Sequence, residues 1–228
     1  MKMKWSLMLI AGLSLGAQAQ DSMVTDQGNY LSLRVQSAQQ RISDQKPYSP
    51  RAIGIINGPD TSDKTSGSLA VGRYLPNAWS VEAEYSARTK SEFDTLWQWT
   101  GGESRNVIQA RSQRLMFNAY KDFPVADALS LYAGAGLGIS HISAAGYQGT
   151  TLRTFDQHTQ NNLAYGLTAG MGYRLSKVFT LGLGYRYVGM GKIQTGINNF
   201  TNRSGTKDEH QEGKLNEQNV FLELRARF

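Results

Sequence analysis

The 228-residue chain has no cysteine, only five prolines, and no internal apolar run long enough to cross a bilayer as a helix. Without cysteine no disulfide can brace an exported fold, so its rigidity must come from elsewhere. A helical span takes about 20 consecutive apolar residues, and the mean hydropathy of −0.42 fits a chain that has none. A surplus of one charge is lacking too: 24 Lys and Arg stand against 18 Asp and Glu. That excess is too small and too scattered to mark a nucleic-acid surface.

The N-terminus carries a different pattern. Lys2 and Lys4 precede an apolar run from Trp5 to Gly16, and Ala17-Gln18-Ala19 closes it. A basic start, a short apolar middle and an A-x-A site make a secretory signal, with cleavage expected after Ala19. Residues 1–19 are therefore assigned to the signal and 20–228 to one exported domain of 22 basic and 18 acidic residues.

The last nine residues set the pattern for that domain. Val220, Leu222, Leu224, Ala226 and Phe228 share one parity, and Glu223, Arg225 and Arg227 the other. A period of two is a strand with a greasy face and a charged face. Seven earlier segments alternate likewise: 29–37, 66–75, 79–90, 112–121, 129–141, 163–174 and 179–187. In 129–141 the outward Leu131, Leu137 and Ile139 alternate with Gly134, Gly136 and Gly138, as a narrow bore requires. Segment 66–75 is ambiguous, and Tyr74 is read as outward with Arg73 inward.

Long polar connections (39–64, 91–111, 143–162 and 191–213) alternate strictly with short ones at 76–78, 122–128 and 175–177. All five prolines are expected in connections, as a fully paired ladder demands. The fold expected is all-β, a closed antiparallel eight-stranded up-and-down transmembrane barrel with long loops outside and both termini periplasmic. Tyr74, Trp79, Tyr173, Phe179 and Phe228 would form the periplasmic aromatic girdle.

With the terminal Phe228, the glycine-rich fifth and sixth strands, and Gly172-Tyr173-Arg174 and Gly184-Tyr185-Arg186, the chain resembles small bacterial outer-membrane barrels of the OmpA-like and opacity types. The resemblance implies outer-membrane localisation, recognition of Phe228 by the barrel-insertion machinery, and contact with outer-membrane lipid and lipopolysaccharide. No peptidoglycan-binding domain is expected after the eighth strand. A monomer is expected.

The inward parity collects Arg34, Glu82, Glu84, Arg88, Arg114, Arg174, Arg186, Glu223, Arg225 and Arg227. Charges crowded at one level of a bore that holds only side chains must pair. The network is read as a plug, with a gated anion-preferring channel, a small porin, as the alternative. The role expected is structural and adhesin-like, through four surface loops and without catalysis. Trp97 and Trp99 are the candidate loop contacts for an extracellular ligand or host surface.

An enzymatic alternative rests on His141-Ile142-Ser143-Ala144-Ala145-Gly146, which is similar to the His-x-Ser-Asn-Ala-Gly stretch of outer-membrane lipid A deacylases. Ala144 replaces the Asn, and the nearest acid, Asp156, falls in an expected loop. No metal or cofactor is expected, because His158 and His210 have no partner at metal-ligand spacing.

Overall fold

The structure is a computed structural model that describes residues 28–49, 52–58, 61–202 and 204–228. The expected signal, residues 1–19, and the loop residues Pro50, Pro59 and Asp60 lie outside the described residues. Among the described residues there are nine strands and no helix. They are β1 (Gly28–Tyr48), β2 (Ala52–Asn57), β3 (Thr61–Leu75), β4 (Trp79–Trp99), β5 (Gly102–Pro124), β6 (Leu129–Gln148), β7 (Thr150–Arg174), β8 (Phe179–Gln194) and β9 (His210–Arg227).

Eight of them close a ring in the order β1, β3, β4, β5, β6, β7, β8, β9, each antiparallel to the next, with β9 returning to β1. At the closure Asn29 and Phe228 exchange backbone hydrogen bonds of 3.1 and 3.0 Å. Toward the termini, where every neighbouring pair is hydrogen-bonded, the closed ring leaves no row of unpaired amides, which is what lets a strand assembly sit in hydrocarbon. The ninth strand, β2, lies outside the ring and pairs with the tip of β4, Ile55 opposite Trp97.

The ring strands run from 15 residues in β3 to 25 in β7, whereas a barrel strand crosses lipid in about 9–11. The extra length corrects the expected loops. Residues 91–111 are strand except at the turn between Trp99 and Gly102, and residues 143–162 turn only near Gly149. The connection after β8 shrinks to residues 195–209, and β1 continues as far as Tyr48. Pro47 therefore sits in β1, opposite Gln211 and beyond a register shift at Ser43 and Lys46. Pro124 ends β5 opposite Ser130. Both lie at strand ends, where a missing amide donor costs little.

The alternation does not stop where the loops were expected; its polarity inverts. Near the termini the outward residues Leu33, Val35, Phe117, Leu137, Leu167, Leu183 and Leu222 are exposed and apolar. Farther along, the inward residues Ile42, Phe93, Ile108, Ile142, Ile193 and Leu215 form an apolar core at 0–2% exposure. The outward positions there are Gln39, Lys90, Gln109, Arg111 and Lys192, all exposed. The first zone is dressed for lipid and the second for water.

Tyrosines mark the boundary. Tyr85 donates to Gln113, Tyr185 to Gln218 and Tyr187 to Asn216 at 3.4, 3.0 and 3.1 Å, each linking the apolar band to the first polar residues beyond it. Trp79, Phe123, Tyr173, Phe179 and Phe228 line the other edge, all exposed. Tyr74 does not belong with them. It faces inward and accepts a hydrogen bond from Arg225, while Arg73 is exposed outside, the reverse of the expected facing. The register decides this, because Leu69 and Val71 take the lipid side.

Candidate functional site: the lumen and the far-end cup

Glycines on β6, β7 and β8 do not leave a hollow bore. A Cβ at Gly184 would lie 2.7 Å from the Tyr132 hydroxyl, and one at Gly182 would lie 2.9 Å from Glu223. Each absent side chain is replaced by a long one from another strand.

The membrane level of the lumen is built around Arg34. Its Nη1 donates to Glu82 and Glu84 at 2.7 and 2.6 Å, and its Nη2 to Glu82 and Glu223 at 2.8 and 2.7 Å. Arg186 donates to Glu84 at 2.6 Å, and Arg225 to Glu223 at 3.3 Å. Tyr120 and Asn118 donate to Glu82 at 2.9 and 3.1 Å, and Ser32 donates to Glu223. Three guanidiniums thus face three carboxylates, so the charge buried away from water is balanced. The Phe221 ring lies 5.6 Å from the Arg34 guanidinium and 5.0 Å from that of Arg186, adding a π-face.

Six of the expected network residues therefore meet in one layer: Arg34, Glu82, Glu84, Arg186, Glu223 and Arg225. Arg114 belongs to the next layer and pairs with Glu217 at 2.7 Å. Gln40 and Asn219 also donate to Glu217, at 2.8 and 3.0 Å. Glu217 lies outside the expected strand eight, and only the inward parity of β9, carried back through Asn219, points to it. Arg88 and Arg174 are not lumenal partners: both are exposed. A register shift between Ser86 and Thr89 turns Arg88 outward. Arg174 sits at the terminal rim and donates to the Asp127 carbonyl.

Beyond Glu217 comes the apolar core, and above it the lumen turns polar again. Trp97 is not exposed, as had been expected, but 2% accessible, with its indole N–H donating to Thr95 at 2.9 Å. At this height the inward side is the buried one. Trp99, half-buried 5.7 Å from Trp97 and donating to Ser104, walls a cup of about 320 Å³ at the far end. Glu103, Gln148, Arg153, Asn202 and Glu209 complete the cup, with Arg153 stacked 3.9 Å over Phe200.

One wall of the far zone is joined by side chains. Pairing of β3 with β4 ends at Ser68 opposite Ser86, although β1 continues along β3 to Thr61 and β4 along β5 to Gly102. Lys64 bridges the seam, donating to the Lys90 carbonyl at 3.3 Å and to Ser91. Burial pulls the Lys64 ammonium down to about 8. Ser62 accepts from the Glu92 amide at 3.4 Å.

The remaining sequence candidates are placed apart. His141 meets Asn161 at 2.8 Å and Ser143 accepts from Thr159 at 3.2 Å, so neither pairs with a carboxylate. His210 stacks on Tyr48 at 4.4 Å, and its desolvation holds its pKa below the usual histidine value. Among the described residues no cluster of three metal-ligating side chains occurs.

Solved structures share this architecture. Neisserial surface protein A has a TM-score of 0.52 at 16% identity, covering 88% of this chain and 97% of its own. OprG of Pseudomonas aeruginosa has a TM-score of 0.50 at 14% identity, covering 88% and 96%. In sequence, the outer membrane protein PagN of Salmonella typhimurium is 27% identical over 176 residues, 68% of this chain and 70% of its own length. The family model for the outer membrane protein β-barrel domain matches residues 6–228. Ring closure, the exposed apolar band and that match agree, and the chain belongs to the outer membrane protein β-barrel family.

Proposed function

We propose that this outer-membrane barrel is non-conducting and serves envelope integrity and surface interaction, with its far end outside the cell and both termini in the periplasm. The observation that carries the reading is the lumen filling: a balanced ion network at membrane level, followed by an apolar core at 0–2% exposure. Water and ions passing through would have to displace both layers.

Contact with the surroundings then falls to the far end, where Trp99 and Arg153, the latter stacked on Phe200, put aromatic and cationic surface beside polar side chains in a concave cup. Such a cup suits a ligand that offers both apolar faces and hydrogen-bonding groups. Phe228, 73% exposed and paired through its backbone to Asn29, serves as the outward-pointing residue read during insertion. Replacing it with Ser should lower the yield of folded barrel in the outer membrane.

Planar-bilayer recording of the purified protein tests the main reading. Silence supports it. A steady open channel favours the small porin.

A further inference from the structure

The outward face of β4 and β5 just beyond the apolar band carries three cations. Lys90 stands directly opposite Arg111 across the two strands. Like charges opposite one another destabilise a sheet unless something answers them. Arg88 joins them because the irregularity between Ser86 and Thr89 puts it on the outside, where the alternation alone would have buried it. None of the three side chains has an ion-pair partner among the described residues. Other cations of the same zone are answered: Lys192 by Glu212 at 2.8 Å, Lys214 by Asp44 at 2.9 Å and Arg105 by Asp94 at 2.5 Å.

The height of the cluster is informative. Tyr85 and Leu115, opposite each other, are outward residues at the edge of the apolar band. Arg88 follows Tyr85 by three residues and Lys90 by five, or about 10–16 Å along the strand at ~3.3 Å per residue. That is where headgroups border the hydrocarbon, and long basic side chains reach down toward such a level. A surface depression of about 340 Å³ lies at the same place, lined by Lys90, Arg111, Ser143, Ala145 and Gln157. Ser143 accepts from Thr159, so its own hydroxyl hydrogen is left to donate. Glu92 also lines the depression and accepts from Gln109 at 3.1 Å; its carboxylate offsets one charge and leaves the cluster with an excess of two cations.

We propose that Arg88, Lys90 and Arg111, with Ser143, bind the phosphorylated headgroup of an outer-leaflet glycolipid, lipopolysaccharide, whose acyl chains lie along the band below. The site rests on the orientation proposed above, since only then does it meet the outer leaflet. In a nanodisc the lipid is offered from both sides, so a binding result is independent of orientation.

The test uses the full exported chain in nanodiscs and measures lipopolysaccharide bound per barrel against its dephosphorylated form. The triple variant Arg88→Gln, Lys90→Gln and Arg111→Gln should bind phosphorylated lipid on the order of 100-fold more weakly, at roughly fivefold per charge. Arg111→Gln alone should lose about fivefold. A control that removes the answered cations, Lys192→Gln with Lys214→Gln, should change little. Equal binding of the dephosphorylated lipid, unchanged binding by the variants, or an equal loss in the control would overturn the site.

Discussion

Arg34 and Glu82 meet fork to fork in the lumen, Nη1 to Oε1 at 2.7 Å and Nη2 to Oε2 at 2.8 Å, across two strands 48 residues apart in sequence. Two parallel charge-assisted bonds fix both side chains in a way a single contact would not. Because Glu84 and Glu223 use the same guanidinium, Arg34 is the residue whose loss leaves most charge unanswered.

Arg34→Met should therefore destabilise the folded barrel by about 3–5 kcal/mol, the cost of stranding buried charge. The temperature at which the folded band converts to the unfolded one on gels measures it. Adding Glu82→Gln to Arg34→Met should restore part of the loss, since one orphaned carboxylate then becomes neutral. No loss in the single variant would mean that water enters this layer freely.

Phe93 is fully buried in the apolar core. Phe93→Ala should cost about 3–5 kcal/mol through the cavity it leaves. In planar bilayers it should give brief conductance steps where the parent protein is silent. A variant as silent as the parent would put the barrier to ions in the charged layer alone.

Lys64 closes the β3–β4 seam beyond the apolar band with a pKa lowered to about 8. Below that value the folded state carries a partly desolvated ammonium. Between about pH 8 and the usual lysine value near 10.4 the unfolded state binds more protons, so stability should rise with pH across that window. Amide exchange in residues 87–95 should slow correspondingly, after correction for the intrinsic rate. Lys64→Met should abolish the trend, and its persistence would assign the effect to another group.

Leu152, beside the β6–β7 turn, is 86% exposed, and the chain has no cysteine. Leu152→Cys should accordingly be labelled in intact cells by a membrane-impermeant maleimide, and Lys177→Cys on the opposite turn only after the outer membrane is opened. The reverse result would invert the orientation.

Much of this molecule is written locally. Alternation from Leu129 to Ile139 and from Val220 to Phe228 announces strands, and the inward parity of Arg34, Glu82 and Glu223 is legible because facing in a strand depends only on odd or even position. The far zone is not legible in this way, because there the outward face loses its apolar residues and the stretch resembles a polar loop. Phe93, Ile108 and Ile142 continue the strands with the faces exchanged, and Trp97 is buried for the same reason.

Residue order by itself thus determined the strand periodicity, the outward apolar band and the family. The tertiary structure alone decided which charges meet, because Arg114 and Glu217 are brought within 2.7 Å only by closure of the ring. It also decided the facing of Tyr74 and Arg88, which follows from cross-strand register and a bulge. Parity along one strand is a local property, but partnership across a lumen depends on the stagger of all eight.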